Sequence, residues 1–204
     1  VVMAFWMFGF AAIKLIPNFT QKASSISIVK EHKCTALTNA GFYSKENTPI
    51  GMFVVEGKQL NAYQPNALFN GFFSVDTTGS ASIIIELPQG TPRIIVQSGP
   101  LFITNGSARK LVIRNDEPAR RIIMAQTNDN TVVFLALYSE ENMFAGPKLA
   151  EVPKHLKEVE KLLGVRFANA LNLDGGSASA FIANGISITE FTPVGSFFCV
   201  RRDY

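Results

Sequence analysis

The residues of this chain best arranged for chemistry lie in Leu173-Asp174-Gly175-Gly176-Ser177-Ala178-Ser179. An apolar run ends in one carboxylate, two glycines and two hydroxyl side chains. Glycine lets a backbone approach a ligand closely and adopt positive φ. Successive N–H groups in such a turn can cradle an anion such as phosphate. Asp174, at the end of the apolar run, is placed for acid–base work or for gripping sugar hydroxyls. Asp-Gly is also a common turn dipeptide, so the segment alone reads equally well as a plain tight turn.

Three other polar junctions are candidates. In Leu37-Thr38-Asn39-Ala40-Gly41-Phe42-Tyr43 a small-residue turn follows an apolar run, and Asn39 is suited to bonding a sugar or orienting a carboxylate. In Gln97-Ser98-Gly99-Pro100 two polar side chains enter a Gly-Pro turn. Arg120 and Arg121 open an apolar run, and an arginine facing a cleft can clamp phosphate with two parallel N–H bonds. Each also has a plainer reading, as a turn that bonds its own backbone or as a surface arginine.

The elements that must position these residues are mostly short strands. Ser82–Glu86, Arg93–Gln97, Leu101–Thr104, Arg121–Gln126 and Thr131–Leu137 are apolar runs punctuated by Gly, Pro and Asn, and Phe167–Leu173 leads straight into Asp174. Gly57-Lys58 and Asn128-Asp129-Asn130 read as hairpin turns. Ser24-Ser25 reads as a helix cap before residues 26–33. Leu149, Val152, Leu156, Val159 and Leu163 recur at spacings of three and four, which predicts an amphipathic helix with Pro153 near its first turn and Gly164 at its end. The sum is an α+β single domain, strand-rich and mostly antiparallel, with two or three helices.

Composition narrows the function classes. With 204 residues the chain can bury a core without staples, and 47% hydrophobic against 17% charged residues excludes disorder. A net charge of +3 with scattered basic residues lacks the concentrated stripe of a nucleic-acid binder. Cys34 and Cys199 form no zinc-type cluster and sit beside apolar residues, so inert buried thiols are expected, a disulfide being the alternative. His32 and His155 fit surface positions rather than catalysis. Residues 1–13 are wholly apolar until Lys14. The run is shorter than the ~20 residues of a membrane helix and lacks the basic start of a signal peptide. Residues 1–20 therefore read either as an apolar strand, with residues 8–16 as its core, or as the remnant of a membrane or export segment that could associate with a membrane.

Taken together, Asn39-Ala-Gly-Phe-Tyr43, Thr48-Pro-Ile-Gly51, Gln97-Ser-Gly-Pro100, Arg120-Arg121 and Ala170-Leu-Asn-Leu-Asp-Gly-Gly-Ser177 form a series, in that order. The series resembles the phosphodiester glycosidases, the family that includes the lysosomal uncovering enzyme acting on N-acetylglucosamine-1-phosphodiesters. The resemblance spans about Ser24 to Val200 and fits a bacterial, envelope-linked or extracellular member. The family usually follows its Asp with three glycines and Ser-Ser, whereas this chain has Ser177, Ala178 and Ser179 after two glycines. The resemblance implies hydrolysis of a sugar-1-phosphodiester at the glycosidic bond, releasing the sugar and leaving a phosphate monoester. Such a leaving group carries negative charge easily, so anion binding matters more than a strong acid. On that basis Asp174 is expected to be base or nucleophile, with Arg121 (or Arg120) as the phosphate clamp. Gly175, Gly176 and Ser177 are expected to form an anion loop flanked by Ser179. Asn39, Gln97 and Ser98 are expected to orient sugar or carboxylate. No cofactor or metal is expected. The competing reading is a non-catalytic module that binds envelope sugars or polysaccharide on the same scaffold.

Overall fold

The computed structural model describes residues 1–8 and 12–201. Strands β1 (Val2–Phe8) and β2 (Ala12–Pro17) precede helix α1 (Ser25–His32) and β3 (Ala36–Asn39). A long run of strands follows: β4 (Phe53–Val55), β5 (Lys58–Asn61), β6 (Gly71–Val75), β7 (Ala81–Ile84), β8 (Ile94–Ser98), β9 (Leu101–Thr104), β10 (Ser107–Ala108), β11 (Arg121–Thr127) and β12 (Val132–Tyr138). A 3₁₀ turn at Leu149–Glu151 opens helix α2 (Val152–Leu163), and β13 (Phe167–Asn172), β14 (Phe181–Ala183), β15 (Ile186–Ile188) and β16 (Ser196–Arg201) complete the chain. The strands form three sheets, ordered β1-β12-β11-β13-β9-β10, β15-β14-β3-β16-β2 and β5-β4-β8-β6-β7. Among the described residues every strand pairing is antiparallel.

The near-continuous apolar runs are strands buried on both faces, and period-two alternation divides their side chains between two cores. On β12, Val132, Phe134 and Ala136 enter a central core to which all three sheets contribute, with Phe53, Phe73 and Phe198 among its members. The intervening Val133, Leu135 and Leu137 turn the other way, against Val152, Leu156 and Val159 of α2. β16 behaves likewise: Phe198 and Val200 join the central core, while Phe197 and Cys199 pack under Ile28 of α1.

The helices are set by their ends. Ser24 caps α1 by accepting the Ser27 N–H at 3.2 Å, and Lys33 closes it in the left-handed region. At the other helix the Asp116 carboxylate accepts the N–H groups of Leu149 and Ala150 at 2.8 and 2.9 Å, satisfying donors that a helix start leaves free. Pro153 lies in the first turn of α2 and Gly164 ends it at φ 67°. The Glu56-Gly57 turn has both residues at positive φ, the geometry of a tight hairpin between β4 and β5.

The apolar N-terminus forms two strands in two different sheets. β1 pairs with β12 from Val2 to Phe8, and β2 pairs with β16. Part of the strand expected over residues 8–16, residues 9–11, lies outside the described residues. Among the described residues no helix is long and apolar enough to cross a membrane.

The cysteines correct an expectation. Cys34 and Cys199 are not separate thiols but a disulfide, with Cα atoms 5.4 Å apart, tying the end of α1 to β16. They are 165 residues apart, so the bridge removes much freedom from the unfolded chain. The double variant Cys34→Ser/Cys199→Ser should lose about 2–5 kcal/mol of stability. Urea titration of wild type with and without reductant should show the same loss; unchanged midpoints would mean the bridge contributes nothing.

Candidate active site

Asn39 ends β3 in one sheet, Asp174 follows β13 in a second, and the cis Gly99-Pro100 turn joins β8 of the third sheet to β9. The ends of strands from all three sheets therefore meet at one place. Side chains lock the junction. Fully buried Asn39 donates from Nδ2 to the Asp174 carbonyl at 2.8 Å and accepts the Ala180 N–H on Oδ1 at 2.9 Å. Ser98 donates from Oγ to the Asn172 carbonyl at 2.7 Å.

Asp174 opens on a cavity of about 250 Å³ lined also by Phe42, Leu68, Phe69, Pro100, Arg121, Asn172 and the Gly175-Gly176 turn. Its carboxylate accepts the Gly175 N–H at 2.9 Å, and among the described residues no lysine or arginine pairs with it. Burial pushes its carboxyl from the ordinary range up to about 7, partly offset by the Gly175 N–H. A carboxyl poised there exchanges a proton near neutral pH, as an acid–base group or nucleophile requires.

Arg121 reaches the same cavity. Its Nε donates to the Pro147 carbonyl at 2.9 Å, its Nη2 bonds the Glu117 carbonyl, and Asp116 lies 3.6 Å away. Desolvation lowers its pKa against the opposing charge of Asp116; an arginine side chain carries its charge at any working pH. Among the described residues its Nη1 has no hydrogen-bond partner.

Arg120, one residue earlier, points away into the protein. It is fully buried, with Nε 2.7 Å from Ser179 Oγ and further N–H bonds to the carbonyls of Ser179, Thr189 and Met143. Its guanidinium lies 5.1 Å from the centre of the Phe144 ring. Burial lowers its pKa to about 10, against the opposing charge of Glu190.

The loop after Asp174 is built around this arginine. A Cβ on Gly175 would lie 2.7 Å from the Arg120 carbonyl oxygen, and Gly176 sits at φ 65°, so both positions need glycine. The Gly176 N–H donates to the Arg120 carbonyl at 2.8 Å, and Ser179 Oγ donates to the Gly176 carbonyl at 2.6 Å. The N–H groups of Gly175 and Gly176 are thus taken inside the protein and are not offered to an anion. Ser177 is exposed, with Oγ 3.3 Å from Thr192 Oγ1, and is not in the left-handed region. The backbone there needs no third glycine, which explains why serine fits.

Gln97 lies behind the cavity wall. Its Oε1 accepts the Met52 and Gln64 N–H groups at 2.8 and 3.2 Å, and its Nε2 donates to the Gln64 and Phe69 carbonyls. It pins the segment that carries Leu68 and Phe69. Of the four residues Asn39, Gln97, Arg121 and Asp174, only Arg121 and Asp174 line the cavity; Asn39 and Gln97 spend their amides on the backbone around it.

Three residues outside the sequence-based set belong to the site. Phe42 lines the cavity and stacks at a tilt on Phe69, ring centres 4.7 Å apart. Tyr43 feels the Asp174 charge: burial and that charge raise its phenol pKa, and its hydroxyl bonds the Pro193 carbonyl. Asn172 lines the cavity two residues before Asp174. All three stand inside the sequence segments already singled out, and Asn172, the last residue of β13, lines the same cavity as Asp174.

Among curated proteins no sequence matches this chain. Solved structures do. The catalytic domain of zebrafish N-acetylglucosamine-1-phosphodiester alpha-N-acetylglucosaminidase, auto-inhibited by its pro-peptide, superposes with a TM-score of 0.71 at 14% identity, covering 100% of this chain and 84% of that one. A hypothetical protein from Synechocystis gives 0.70 at 14% identity, over 98% of this chain and 59% of its own length. A Burkholderia pseudomallei K96243 protein assigned to export gives 0.69 at 11% identity, over 97% and 73%. At these identities the likeness is one of fold. The family model for phosphodiester glycosidases matches residues 32–201, most of the chain and every residue of the cavity, and the chain belongs to that family.

Proposed function

We propose that the chain hydrolyses a sugar-1-phosphodiester at the glycosidic bond, releasing the sugar and leaving a phosphate monoester on the carrier. The observation that carries this is the pairing, in one small cavity, of a half-buried carboxylate with an arginine whose Nη1 has no hydrogen-bond partner among the described residues. In the reaction the C1–O bond to phosphate breaks and the phosphate oxygen keeps the electron pair. Asp174 either takes the proton of the attacking water or forms the bond to C1 itself before water replaces it. Arg121 holds the phosphate and steadies its growing charge. Because the phosphate monoester leaves readily, a single carboxylate suffices where ordinary glycosidases need two. The zebrafish enzyme's name points to N-acetylglucosamine as the first sugar to try. The disulfide fits an oxidising compartment, in line with the exported neighbour, and supports an extracellular or envelope location.

A panel of glycosyl phosphodiesters with product analysis tests the reading; no release of sugar from any member would end it. Arg121→Lys gives a sharper test. It keeps the charge but loses the planar fork, and should raise KM for phosphodiesters roughly tenfold, about 1.4 kcal/mol. An uncharged aryl glycoside should barely notice the change. Equal harm to both substrates would make Arg121 a prop for Asp116 and the Pro147 turn, not a phosphate ligand.

A further inference from the structure

The last residue of β13 carries a polar atom that the fold leaves unsatisfied. Asn172 is 4% exposed, and its Oδ1 has no hydrogen-bond partner. Its other groups are all committed. Nδ2 donates to the Gly99 carbonyl at 3.0 Å, the backbone N–H donates to the Pro100 carbonyl at 3.0 Å, and the backbone carbonyl accepts from Ser98 Oγ. The Gly99 carbonyl therefore decides which way the carboxamide faces, because the reverse orientation would set oxygen against oxygen. A buried acceptor left unmade is expensive, and native structures seldom keep one without a use. Among the described residues, Asn172 Oδ1 is the one such atom belonging to a residue that lines the cavity of Asp174.

We propose that Asn172 is a substrate-binding residue whose Oδ1 accepts a hydrogen bond from a ring hydroxyl of the sugar held beside Asp174. Asn172 ends β13 and Asp174 lies two residues beyond it, and both line the same cavity. The atom is an acceptor and needs a donor. A phosphodiester at neutral pH has no proton to give, whereas a sugar ring carries several hydroxyls. Asn172 thus reads the sugar half of the substrate while Arg121 addresses the phosphate half. This rests on the glycosidase reading of the cavity and adds to it a residue that selects the sugar. A site built to bond a hydroxyl discriminates strongly against the analogue that lacks it, because the buried acceptor is then left bare.

The test pairs residue with hydroxyl. The full chain is titrated with the α-methyl glycosides of N-acetylglucosamine, glucose and galactose and with their monodeoxy analogues, followed by NMR or calorimetry. For wild type, one deoxy position should weaken binding at least tenfold. In Asn172→Leu that gap should vanish, parent and deoxy sugar binding alike. Asn172→Asp should keep the gap, since a protonated carboxyl can donate to the Gly99 carbonyl and still present an oxygen. If Asn172→Leu does not fold, the wild-type and Asn172→Asp series still decide the matter. Equal binding of all deoxy analogues to wild type, a gap that persists in Asn172→Leu, or no sugar binding at all would overturn the proposal and leave a trapped water as the partner of Oδ1. Hydrolysis of glycosyl phosphodiesters is followed in parallel. Hydroxyl reading without hydrolysis would sink the hydrolase and leave Asn172 in place as part of a sugar-binding site.

Discussion

Asp174→Asn should lose about 10²-fold or more in turnover on a glycosyl phosphodiester, while the protein becomes more stable above neutral pH. Among the described residues Asp174 carries the one carboxyl that lines the cavity, and its charge is what the proposed reaction would use. Asparagine keeps the size and can still accept the Gly175 N–H, so the loop should survive. The stability effect follows from linkage. The folded pKa of about 7 lies above the ordinary 3.8, so folding favours the protonated form. Stability from this group is complete below pH about 4 and is lost as the pH rises through 7. Asparagine removes that loss, and at pH 8 the variant should gain on the order of 1–4 kcal/mol, a gain that shrinks as the pH falls. Thermal melts at pH 5 and 8 would show it. For wild type, kcat/KM should climb through an apparent pKa near 7, because base and nucleophile both need the ionised form. Wild-type turnover in Asp174→Asn would refute the assignment, and a rate that falls through pH 7 would make Asp174 the acid instead.

Arg120→Met should be among the most destabilising single changes in the molecule, with little direct effect on chemistry. The guanidinium bonds the carbonyls of Met143, Ser179 and Thr189 and the Ser179 hydroxyl, and it lies against Phe144. Methionine fills part of the volume and leaves those acceptors buried and bare. It also removes the cation that faces Glu190. Breaking a buried charged network by removing one member costs about 3–5 kcal/mol, a large share of the ~5–15 kcal/mol that holds a domain together. The Tm should fall by roughly 6–20 °C. Below the melt, KM for phosphodiesters should stay close to wild type, since Arg120 does not line the cavity. A variant that melts normally but no longer binds phosphodiesters would make Arg120 the phosphate ligand and Arg121 the structural cation.

The fold was legible where local rules act alone. Ser24, Pro153 and Gly164 mark helix ends in the sequence and do so in the structure, because caps and stops depend on a few neighbouring residues. β9 runs from Leu101 to Thr104, where the apolar pattern and Asn105-Gly106 put it. β7 and β8 are each displaced by a residue or two from the expected spans, as strand ends depend on the partner strand rather than on the strand itself. The division into three sheets is not written in any local window, since it rests on pairings such as β3 with β16 across the length of the chain.

The chemistry divides in the same way. By itself the sequence determined that a carboxylate followed by two glycines ends an apolar strand, that two arginines open another, and that two cysteines are available. Composition and order alone carry that information. Tertiary structure decided which arginine faces the cavity. Adjacent residues on an extended chain point to opposite sides, and only the packing of β11 between β12 and β13 says which side is the cavity and which the interior. It also decided that Asn39 and Gln97 spend their amides on backbone groups, because a carboxamide's partners come from wherever the fold leaves a buried N–H or C=O unmet. It decided that Cys34 and Cys199 meet, since a bond across 165 residues depends on where β16 lies beside α1 and not on either cysteine's neighbours. And it decided that Asp174 titrates near neutrality, because the desolvation that raises its pKa comes from walls contributed by distant parts of the chain, Phe42 and Phe69 among them.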